Sequence, residues 1–364
     1  MGDRDRVLIV GAGPTGLTAA LELTRQGRSV TIVERNAVVT PLAKAVGISS
    51  HSLDLLHPCG VAERLLAEGI RLQTVFISVE GELIGAIDLS LIPHRYNFLL
   101  SLPQSRTEQI MVDRLAELGV QVRRNTEFVG LAQRDDDVEV TLRDARGESA
   151  ETCAYVFGAD GSHSATRQAA GIGFDGYIHE RLWSIADVEI PAWSDPEATA
   201  HAFLHAGGDV AFIIPIAPRR YRIISNTRDA VARVPGLAGM EKRVLLVDTF
   251  HVSVKLATAY REGRVFIGGD AAHVHSPVGG RGMNLGIEDA VCFARCLGAD
   301  TLDAYNAERH PVGARWIRFS ERFLSMAQTQ STALAAARNV ALRAITSIPA
   351  LQRVGLSRVA GVTE

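Results

Sequence analysis

The sequence predicts an α/β protein in which a Rossmann-like sheet is interleaved with an antiparallel sheet and followed by C-terminal helices. Three observations lead to this prediction. Buried-strand patterns run into glycine-rich turns at residues 7–16, 155–161 and 265–284. Strand-like segments without such turns lie between them. After residue 309 the apolar residues recur at helical spacing.

Length and composition are those of an ordinary globular chain. The 364 residues are 47% hydrophobic and 22% charged, which allows one large domain or two interleaved ones. A net charge of -3 gives no support for nucleic-acid binding, and no window of about 18 apolar residues predicts a membrane span. The charged N-terminus lacks the apolar core of a secretion signal. We therefore expect a cytoplasmic protein without a nucleic-acid or membrane partner.

The four cysteines do not have the spacing of a metal site or of a disulfide framework. Cys292 and Cys296 are four residues apart on a predicted helix, so they share one face, and packed thiols are the favoured interpretation. The sequence predicts no metal site.

The first unit of the chain has the pattern of a dinucleotide-binding fold. An apolar strand, Val7–Val10, runs into Gly11, Gly13 and Gly16, and a helix follows. Gly11 permits a tight turn, Gly13 lets the backbone approach a pyrophosphate, and Gly16 allows close helix packing. A second strand ends at Glu34, which is placed to accept hydrogen bonds from a ribose. The pattern does not distinguish FAD from NAD.

Two loops and a second turn come next. Residues 44–48 include a glycine that suits close approach to a ligand, and Lys44 either faces that ligand or is a solvated surface lysine. Strands are expected from about residue 75 to 102, and a helix follows from Gln104. A further buried strand at 155–158 leads into Asp160 and Gly161, where a serine caps the next helix.

The third turn has the richest set of polar and glycine residues. A short buried strand, Val265–Ile267, is followed by two glycines and Asp270. Pro277, three more glycines and Asn284 lead into an apolar helix. The glycines permit close approach to a flat ligand, and the helix N-terminus favours negative charge. We expect the three turns to converge on one extended ligand.

The remaining segments supply a second sheet and a helical tail. Residues from about 174 to 263 are strand-like and lack phosphate loops, which predicts an antiparallel sheet on the substrate side. The tail after residue 309 carries Trp316, Phe319 and Phe323 at helical spacing, and we expect these aromatic side chains in the core.

Together, GAGPTG at 11–16, GADGSHSATR at 158–167 and GGDAAHVHSPVGGRGMN at 268–284 resemble the single-component (class A) FAD-dependent aromatic hydroxylases of the para-hydroxybenzoate hydroxylase family. The branch acting on phenols and aromatic polyketides is the most similar. The resemblance implies bound FAD and a transient reductant, NADPH or NADH. It implies an FAD-binding domain of residues 1–74, 101–174 and 264–310, a substrate-binding sheet domain of 75–100 and 175–263, and a helical segment of 311–364.

The resemblance also implies roles for single residues. Pro277 and Lys44 would act beside the flavin ring during catalysis. Pro277 and Lys44 would also contact the cofactor. The other residues that would bind it are Gly11, Gly13, Pro14, Thr15, Gly16, Glu34, Arg35, Ala45, Gln104, Arg106, Asp160, Gly161, Gly269, Asp270, Gly280, Gly282, Met283 and Asn284.

Three positions depart from the family pattern. Lys44 stands where the family usually has arginine, and an ammonium does not replace a planar bidentate group equivalently. Arg281 replaces the usual glutamine between the loop glycines, and Ser276 replaces a proline. These departures bear on flavin mobility. Many relatives also carry a C-terminal thioredoxin-like domain, which we do not expect within these 364 residues.

The predicted function is an NAD(P)H-consuming monooxygenase that hydroxylates a small aromatic compound with O2 through a flavin hydroperoxide. Two alternatives stay open. One is another flavoenzyme reaction on the same fold, namely epoxidation, Baeyer–Villiger oxidation, halogenation or reduction. The other is a non-catalytic flavin-binding protein. The sequence leaves the oligomeric state open between monomer and homodimer.

Overall fold

The computed structural model describes residues 6–40, 45–193 and 198–362. Its strands are β1 (Val7–Val10), β2 (Val30–Glu34), β3 (Gly47–Ile48), β4 (Ile70–Leu72), β5 (Thr74–Val79), β6 (Glu82–Asp88), β7 (Leu99–Ser101), β8 (Val122–Arg124), β9 (Glu127–Gln133), β10 (Val138–Asp144), β11 (Gly147–Cys153), β12 (Tyr155–Gly158), β13 (Phe174–Glu189), β14 (Thr199–Leu204), β15 (Val210–Ala217), β16 (Arg220–Ser225), β17 (Arg243–Ala257), β18 (Arg261–Glu262), β19 (Val265–Ile267) and β20 (His273–Val274).

The helices within the same ranges are α1 (Pro14–Arg25), α2 (Ser50–Leu56), α3 (Ala62–Glu68), α4 (Gln104–Glu117), α5 (Ala165–Ala169), α6 (Gly282–Gly298), α7 (Leu302–Ala327), α8 (Thr332–Ser347) and α9 (Pro349–Val359).

Six strands form the nucleotide-binding sheet, in the order β18-β19-β12-β1-β2-β8. β1 pairs in parallel with β2 on one side and with β12 on the other, and β12 pairs in parallel with β19. The strands that precede the three glycine-rich turns are therefore neighbours. Because carboxyl ends of parallel strands meet at one edge of a sheet, the three turns lie at the same edge. The predicted Rossmann-like sheet is confirmed.

The apolar run of β1 is continuous because both faces of the strand are covered. Val7 and Ile9 belong to the main core with helices α1 and α6. Leu8 and Val10 pack against Val140 and its neighbours in the three-stranded sheet β9-β10-β11. A strand buried on both sides needs apolar residues at every position rather than at alternate ones.

A second, eight-stranded sheet has the order β20-β17-β13-β16-β15-β14-β5-β6. Its pairs are antiparallel except for β14 with β5. The prediction of an antiparallel sheet over 174–263 is confirmed. β5 and β6, from the segment expected to leave the nucleotide-binding unit, extend this sheet. Another three-stranded sheet in the described part of the chain has the order β3-β7-β4.

The C-terminal segment is helical, as predicted. Trp316 and Phe319 of α7 are half-buried, but Phe323 is 46% exposed, so the expectation that all three rings lie in the core was wrong for Phe323. Phe323 is exposed because α7 turns a different face towards the sheet, through the buried Leu324 and Ala327. No helix in the described part of the chain is long and apolar enough to cross a bilayer.

Candidate cofactor and active site

The glycine-rich turn after β1 is shaped by close backbone contacts. Gly11 has a φ of +100°, and a Cβ there would lie 2.4 Å from the carbonyl oxygen of Ala159. A Cβ at Gly16 would lie 2.0 Å from the carbonyl oxygen of Gly11. Gly13 is different, since a Cβ there would meet no atom within 4 Å. Two of the glycines are thus required by packing, and the third faces open space at the N-terminus of α1, where Pro14 is the first residue.

Glu34 holds the ends of two neighbouring strands together. Its carboxylate accepts hydrogen bonds of 2.9 Å from the backbone N–H groups of Ala12 and Asn36. Each carboxylate oxygen can accept more than one hydrogen bond, so the group keeps capacity for a ligand hydroxyl. Its position beside the glycine turn suits a ribose.

A groove with a volume of about 260 Å³ runs along this edge of the sheet. It is lined by residues from the ends of β1, β2 and β12 and from α4. Seven of its lining residues belong to the set predicted to bind the cofactor: Gly11, Gly13, Glu34, Arg35, Gln104, Asp160 and Gly161.

Glu108 also lines the groove, and sequence reasoning missed it. The side-chain amide of Gln104 donates a 2.8 Å hydrogen bond to its carboxylate. Burial, together with the nearby charge of Glu34, raises the pKa of Glu108 to about 7. The sequence signal that could have identified Glu108 is its spacing from Gln104, because residues i and i+4 share one face of a helix.

Arg106, predicted to contact the flavin chain, lies at the surface of α4. Its guanidinium donates hydrogen bonds of 2.6 and 2.7 Å to Glu68 at the surface, and it is not among the groove residues. Successive residues are rotated by about 100° around a helix, so a side chain two positions after Gln104 points to the other side of α4.

The second turn is closed by Asp160. Its carboxylate accepts hydrogen bonds from the hydroxyl of Ser164 at 2.5 Å and from the backbone N–H of Thr166 at 3.0 Å. Gly161 adopts a φ of +81° beside it. Arg167 then donates a 2.9 Å hydrogen bond to the carbonyl of Ala271, which joins the second turn to the third.

Thr15 joins the first turn to the third. A Cβ added at Gly269 or Gly286 would lie only 2.4 or 2.2 Å from its hydroxyl oxygen. The backbone N–H of Gly268 also donates a 3.0 Å hydrogen bond to the carbonyl of Gly158. The three turns therefore pack on one another. Asp270 lies in the turn after β19, where it is exposed, and it does not line the groove.

Asn284 fastens the loop before α6 to the loop before α2. Its side-chain oxygen accepts a 2.8 Å hydrogen bond from the backbone N–H of Ser49. Its amide donates to the carbonyls of Gly47 at 3.0 Å and Gly280 at 2.9 Å. The loop also includes the half-buried Pro277, whose carbonyl accepts from Gly280.

The other predicted residues of these two loops lie close by. Gly282 begins α6 and Met283 is buried directly after it. The carbonyl of Ala45 accepts a 3.1 Å hydrogen bond from the backbone N–H of Gln104. Lys44 lies outside the described residues.

Arg281 is buried in an ionic network that the sequence did not reveal. It is 2% exposed and donates a 2.5 Å hydrogen bond to Glu288. Arg309 donates hydrogen bonds to Glu288 at 3.1 Å and to Asp289 at 2.7 Å. Asp289 also accepts from the imidazole of His273 at 2.7 Å. Burial alone would raise the pKa of Asp289, but the charges of Arg309 and His273 hold it at about 2. The network fixes the first turns of α6 under the loop.

Several buried polar atoms of the third turn lack a hydrogen-bond partner among the described residues, and two of them lie next to Pro277. They are the Nε2 atom of His275 and the hydroxyl of Ser276, both buried. Burial and the neighbouring His273 lower the pKa of His275 to about 4, so its ring is neutral near pH 7. Buried polar atoms normally have a hydrogen-bond partner. Together with the open space at Gly13, these atoms fit a site shaped for a large polar ligand.

Several histidines and tyrosines of the substrate side are held by protein partners. His94 bonds to Asp54, and Tyr177 and His179 both bond to Glu321. Tyr96 lies near the start of α2, because its carbonyl accepts a 2.7 Å hydrogen bond from the hydroxyl of Ser50. Burial raises the pKa of its phenol.

Comparison with known proteins agrees with this arrangement. The family described as "FAD binding domain" matches residues 4–320. A 6-methylpretetramide 4-monooxygenase of Streptomyces rimosus is 34% identical over 382 residues, covering 98% of this chain and 65% of that protein. A pentachlorophenol 4-monooxygenase of Sphingobium chlorophenolicum is 32% identical over 334 residues, covering 84% and 62%. The chain thus spans slightly less than two thirds of the length of these relatives.

Solved structures show the same fold. An anhydrotetracycline hydroxylase from Streptomyces rimosus superposes with a TM-score of 0.81 at 29% identity, covering 99% of this chain and 76% of that one. A p-nitrophenol 4-monooxygenase from Pseudomonas putida DLL-E4 superposes with a TM-score of 0.90 at 22% identity and covers 98% of both chains. The chain therefore belongs to the FAD-binding domain family, among the FAD-dependent aromatic hydroxylases that its three motifs resemble.

Proposed function

We propose that this chain is a FAD-dependent monooxygenase that consumes NADH or NADPH and hydroxylates a small phenolic or polyketide-like compound with O2. The observation that carries the proposal is the packing of three distant turns on one another. Gly11 approaches Ala159, Thr15 approaches Gly269, and Asn284 bonds to Gly47. The relatives named as monooxygenases of aromatic substrates support the choice of reaction.

The groove would hold the ADP half of FAD, with Gly13 at the pyrophosphate and Glu34 at the ribose. Gln104 and Asp160 would line its middle, and Asp270 would reach the ribityl chain. Pro277 and the segment 280–284 would surround the flavin ring, with the loop at 44–48 on the other side. When bound, FAD supplies the redox chemistry, accepting hydride from the nicotinamide and delivering one oxygen atom of O2 to the aromatic ring.

The protein's own contribution is binding, charge and exclusion of water. The N-terminus of α6, at Gly282, has no side-chain cap among the described residues, and its N–H groups and positive dipole end favour negative charge on a ligand. His275 is neutral near pH 7 because burial lowers its pKa, so it adds hydrogen-bonding capacity without a full charge. The apolar side chain of Val278, buried among Trp183 and Val254, would help to keep water from the reacting atoms.

The proposed division of labour follows the ranges expected from the sequence. Residues 1–74, 101–174 and 264–310 would bind FAD, residues 75–100 and 175–263 would bind the aromatic substrate, and 311–364 would form the helical segment. We also propose that the protein is cytoplasmic and that it is a monomer or a homodimer.

The test begins with the purified protein. We expect a yellow species that releases FAD on denaturation and oxidises NADH or NADPH faster when a substituted phenol is added. In ¹⁸O₂, the product should carry one labelled oxygen atom. A protein that takes up no FAD on reconstitution would refute the proposal. FAD binding with turnover but without label would exclude an oxygenase and leave reduction or halogenation.

A further inference from the structure

Helix α8 leaves most of its apolar side chains on the exposed side. None of its residues is buried. Its half-buried inner side is mixed, because Leu342 packs against the core there beside two polar side chains. Arg338 donates to the carbonyl of Ala327, and the hydroxyl of Thr346 fills the space beside Gly85. The exposed side consists mainly of apolar residues, with Leu334, Val340 and Ile345 as the largest. A surface helix usually buries most of its large apolar side chains instead.

The outward apolar side chains continue into the next helix. The C-terminal apolar face, as we define it, comprises six exposed side chains: Leu334, Val340, Ile345, Ile348, Leu351 and Val354. Their exposed fractions run from 37% for Ile345 to 68% for Val340. Together they expose on the order of 500 Å² of apolar surface, and patches of that size usually mark an interaction site.

The charge around this face has one sign. Helices α8 and α9 contain four arginines and no acidic residue, although the whole chain has a net charge of -3. Arg343, Arg353 and Arg358 are exposed, and none of them has an ion-pair partner in the described ranges. The face therefore combines apolar side chains with unneutralised guanidinium groups.

We propose that the C-terminal apolar face docks on an anionic phospholipid surface, with α8 lying in the plane of the interface. A basic, apolar helix surface suits this environment, because the apolar side chains enter the headgroup boundary and arginines reach the phosphates. A second copy of the chain meets the same apolar demand, but a two-fold pairing of this face brings no negative charge to the arginines, because α8 and α9 contain no acidic residue. This proposal departs from the expectation of no membrane partner, which was based on spanning segments alone.

The test uses the FAD-loaded full chain and sedimentation with vesicles. We expect binding to vesicles of phosphatidylcholine and phosphatidylglycerol at 3:1, and little binding to phosphatidylcholine alone. Binding should weaken in 0.5 M NaCl, because salt screens the arginine–phosphate attraction. The double substitution Val340→Glu with Ile345→Glu should lower the partition coefficient at least tenfold. Arg343→Gln with Arg353→Gln should lower it roughly thirtyfold, at about 1 kcal/mol for each arginine.

A matched control keeps the test specific. Val247 of β17 is 61% exposed and distant from α8 in sequence, so Val247→Glu should leave vesicle binding unchanged. FAD content and thermal midpoint report whether each variant is folded. Equal binding of the Val340→Glu/Ile345→Glu variant, or no binding by the parent, overturns the proposal. A dimer of the 39.2 kDa chain that this variant dissociates would show that a second copy covers the face instead.

Discussion

Glu108 is a buried carboxyl whose titration is expected to control stability near neutral pH. Its pKa is raised from 4.5 to about 7, chiefly by burial. Between these values the folded chain keeps a proton that the unfolded chain has lost. The stabilising contribution is therefore full below about pH 4.5 and is lost as the pH rises through 7. As the pH rises from 4.5 to above 7, this titration should lower the parent's free energy of unfolding by on the order of 3 kcal/mol, and the Glu108→Gln variant should not show that decrease. Urea unfolding of the apoprotein at several pH values measures both.

Glu117 on the same helix provides the control for Glu108. It is fully exposed, and hydrogen bonds from Arg64 and Arg114 lower its pKa to about 2. Its titration lies below the window in question, so Glu117→Gln should keep the parent's loss of stability between pH 5 and 8. If Glu108→Gln shows the same pH dependence as the parent, Glu108 is not the group responsible.

The buried pair Arg281–Glu288 gives a second prediction for single residues. Arg281→Gln removes one of the two guanidinium groups that bond to the buried Glu288 carboxylate in the described structure, and we expect it to lower the free energy of unfolding by about 3 kcal/mol. The double variant Arg281→Gln/Glu288→Gln should cost less than the sum of the two single variants, by at least 1 kcal/mol. Urea unfolding of all three variants measures this difference. Additive costs would show that the two side chains are not coupled.

Residues differ in how far their roles follow from the sequence. The glycines at 11, 13 and 16 and the acid at 34 come directly after strand ends, so local spacing alone places them at one edge of the sheet. Arg281 depends on partners from α6 and α7 instead. The sequence identifies it as a departure from the family pattern, but only the packing of those helices makes its charge buried and paired.

At the scale of elements, the contact between α1 and α6 is expected to control FAD binding. A Cβ at Gly286 would lie 2.2 Å from the Thr15 hydroxyl and 3.2 Å from the backbone of Gly269. Gly286→Ala should therefore push the helices apart, lower the free energy of unfolding by about 1–3 kcal/mol and weaken FAD binding. Urea unfolding and titration of the apoprotein with FAD provide the two measurements.

Two further variants separate packing from helix propensity. Thr15→Ala with Gly286→Ala removes the closest clashing atom and should recover part of both losses. Gly355 of α9 has no atom within 4 Å of a Cβ, so Gly355→Ala should raise stability by roughly 0.5–1 kcal/mol. A Gly286→Ala variant as stable as the Gly355→Ala variant would contradict the proposed role of close packing.

Elements were predicted best where the apolar pattern has one interpretation. The runs before the three glycine-rich turns are short, apolar at every position and bounded by glycine, so β1, β12 and β19 follow from the sequence. The orientation of α8 does not follow from the sequence. A helix with alanine or leucine on most sides has no strong preference for one face, and its contact with β6 decides which side points outward.

At the scale of the whole molecule, FAD is expected to add contacts between the three glycine-rich turns and so to stabilise the holoprotein. With free FAD at 100 times its dissociation constant, the holoprotein should be more stable than the apoprotein by about 2.7 kcal/mol. This added stability should be concentrated at the residues that contact FAD. In hydrogen exchange, removal of FAD should increase exchange at residues 10–16, 159–162 and 277–284, while the paired strands β15 and β16 stay protected.

A fragment of the cofactor allows this prediction to be divided between the two halves of the site. ADP resembles one end of FAD, so it should restore protection at residues 10–16 and 159–162, where the groove between Gly11 and Asp160 lies. It should leave residues 277–284 as exchangeable as in the apoprotein, because that loop is assigned to the flavin ring. If ADP protects 277–284 as strongly as FAD does, the loop responds to the nucleotide end, and the assignment of Pro277 and Asn284 to the ring is wrong.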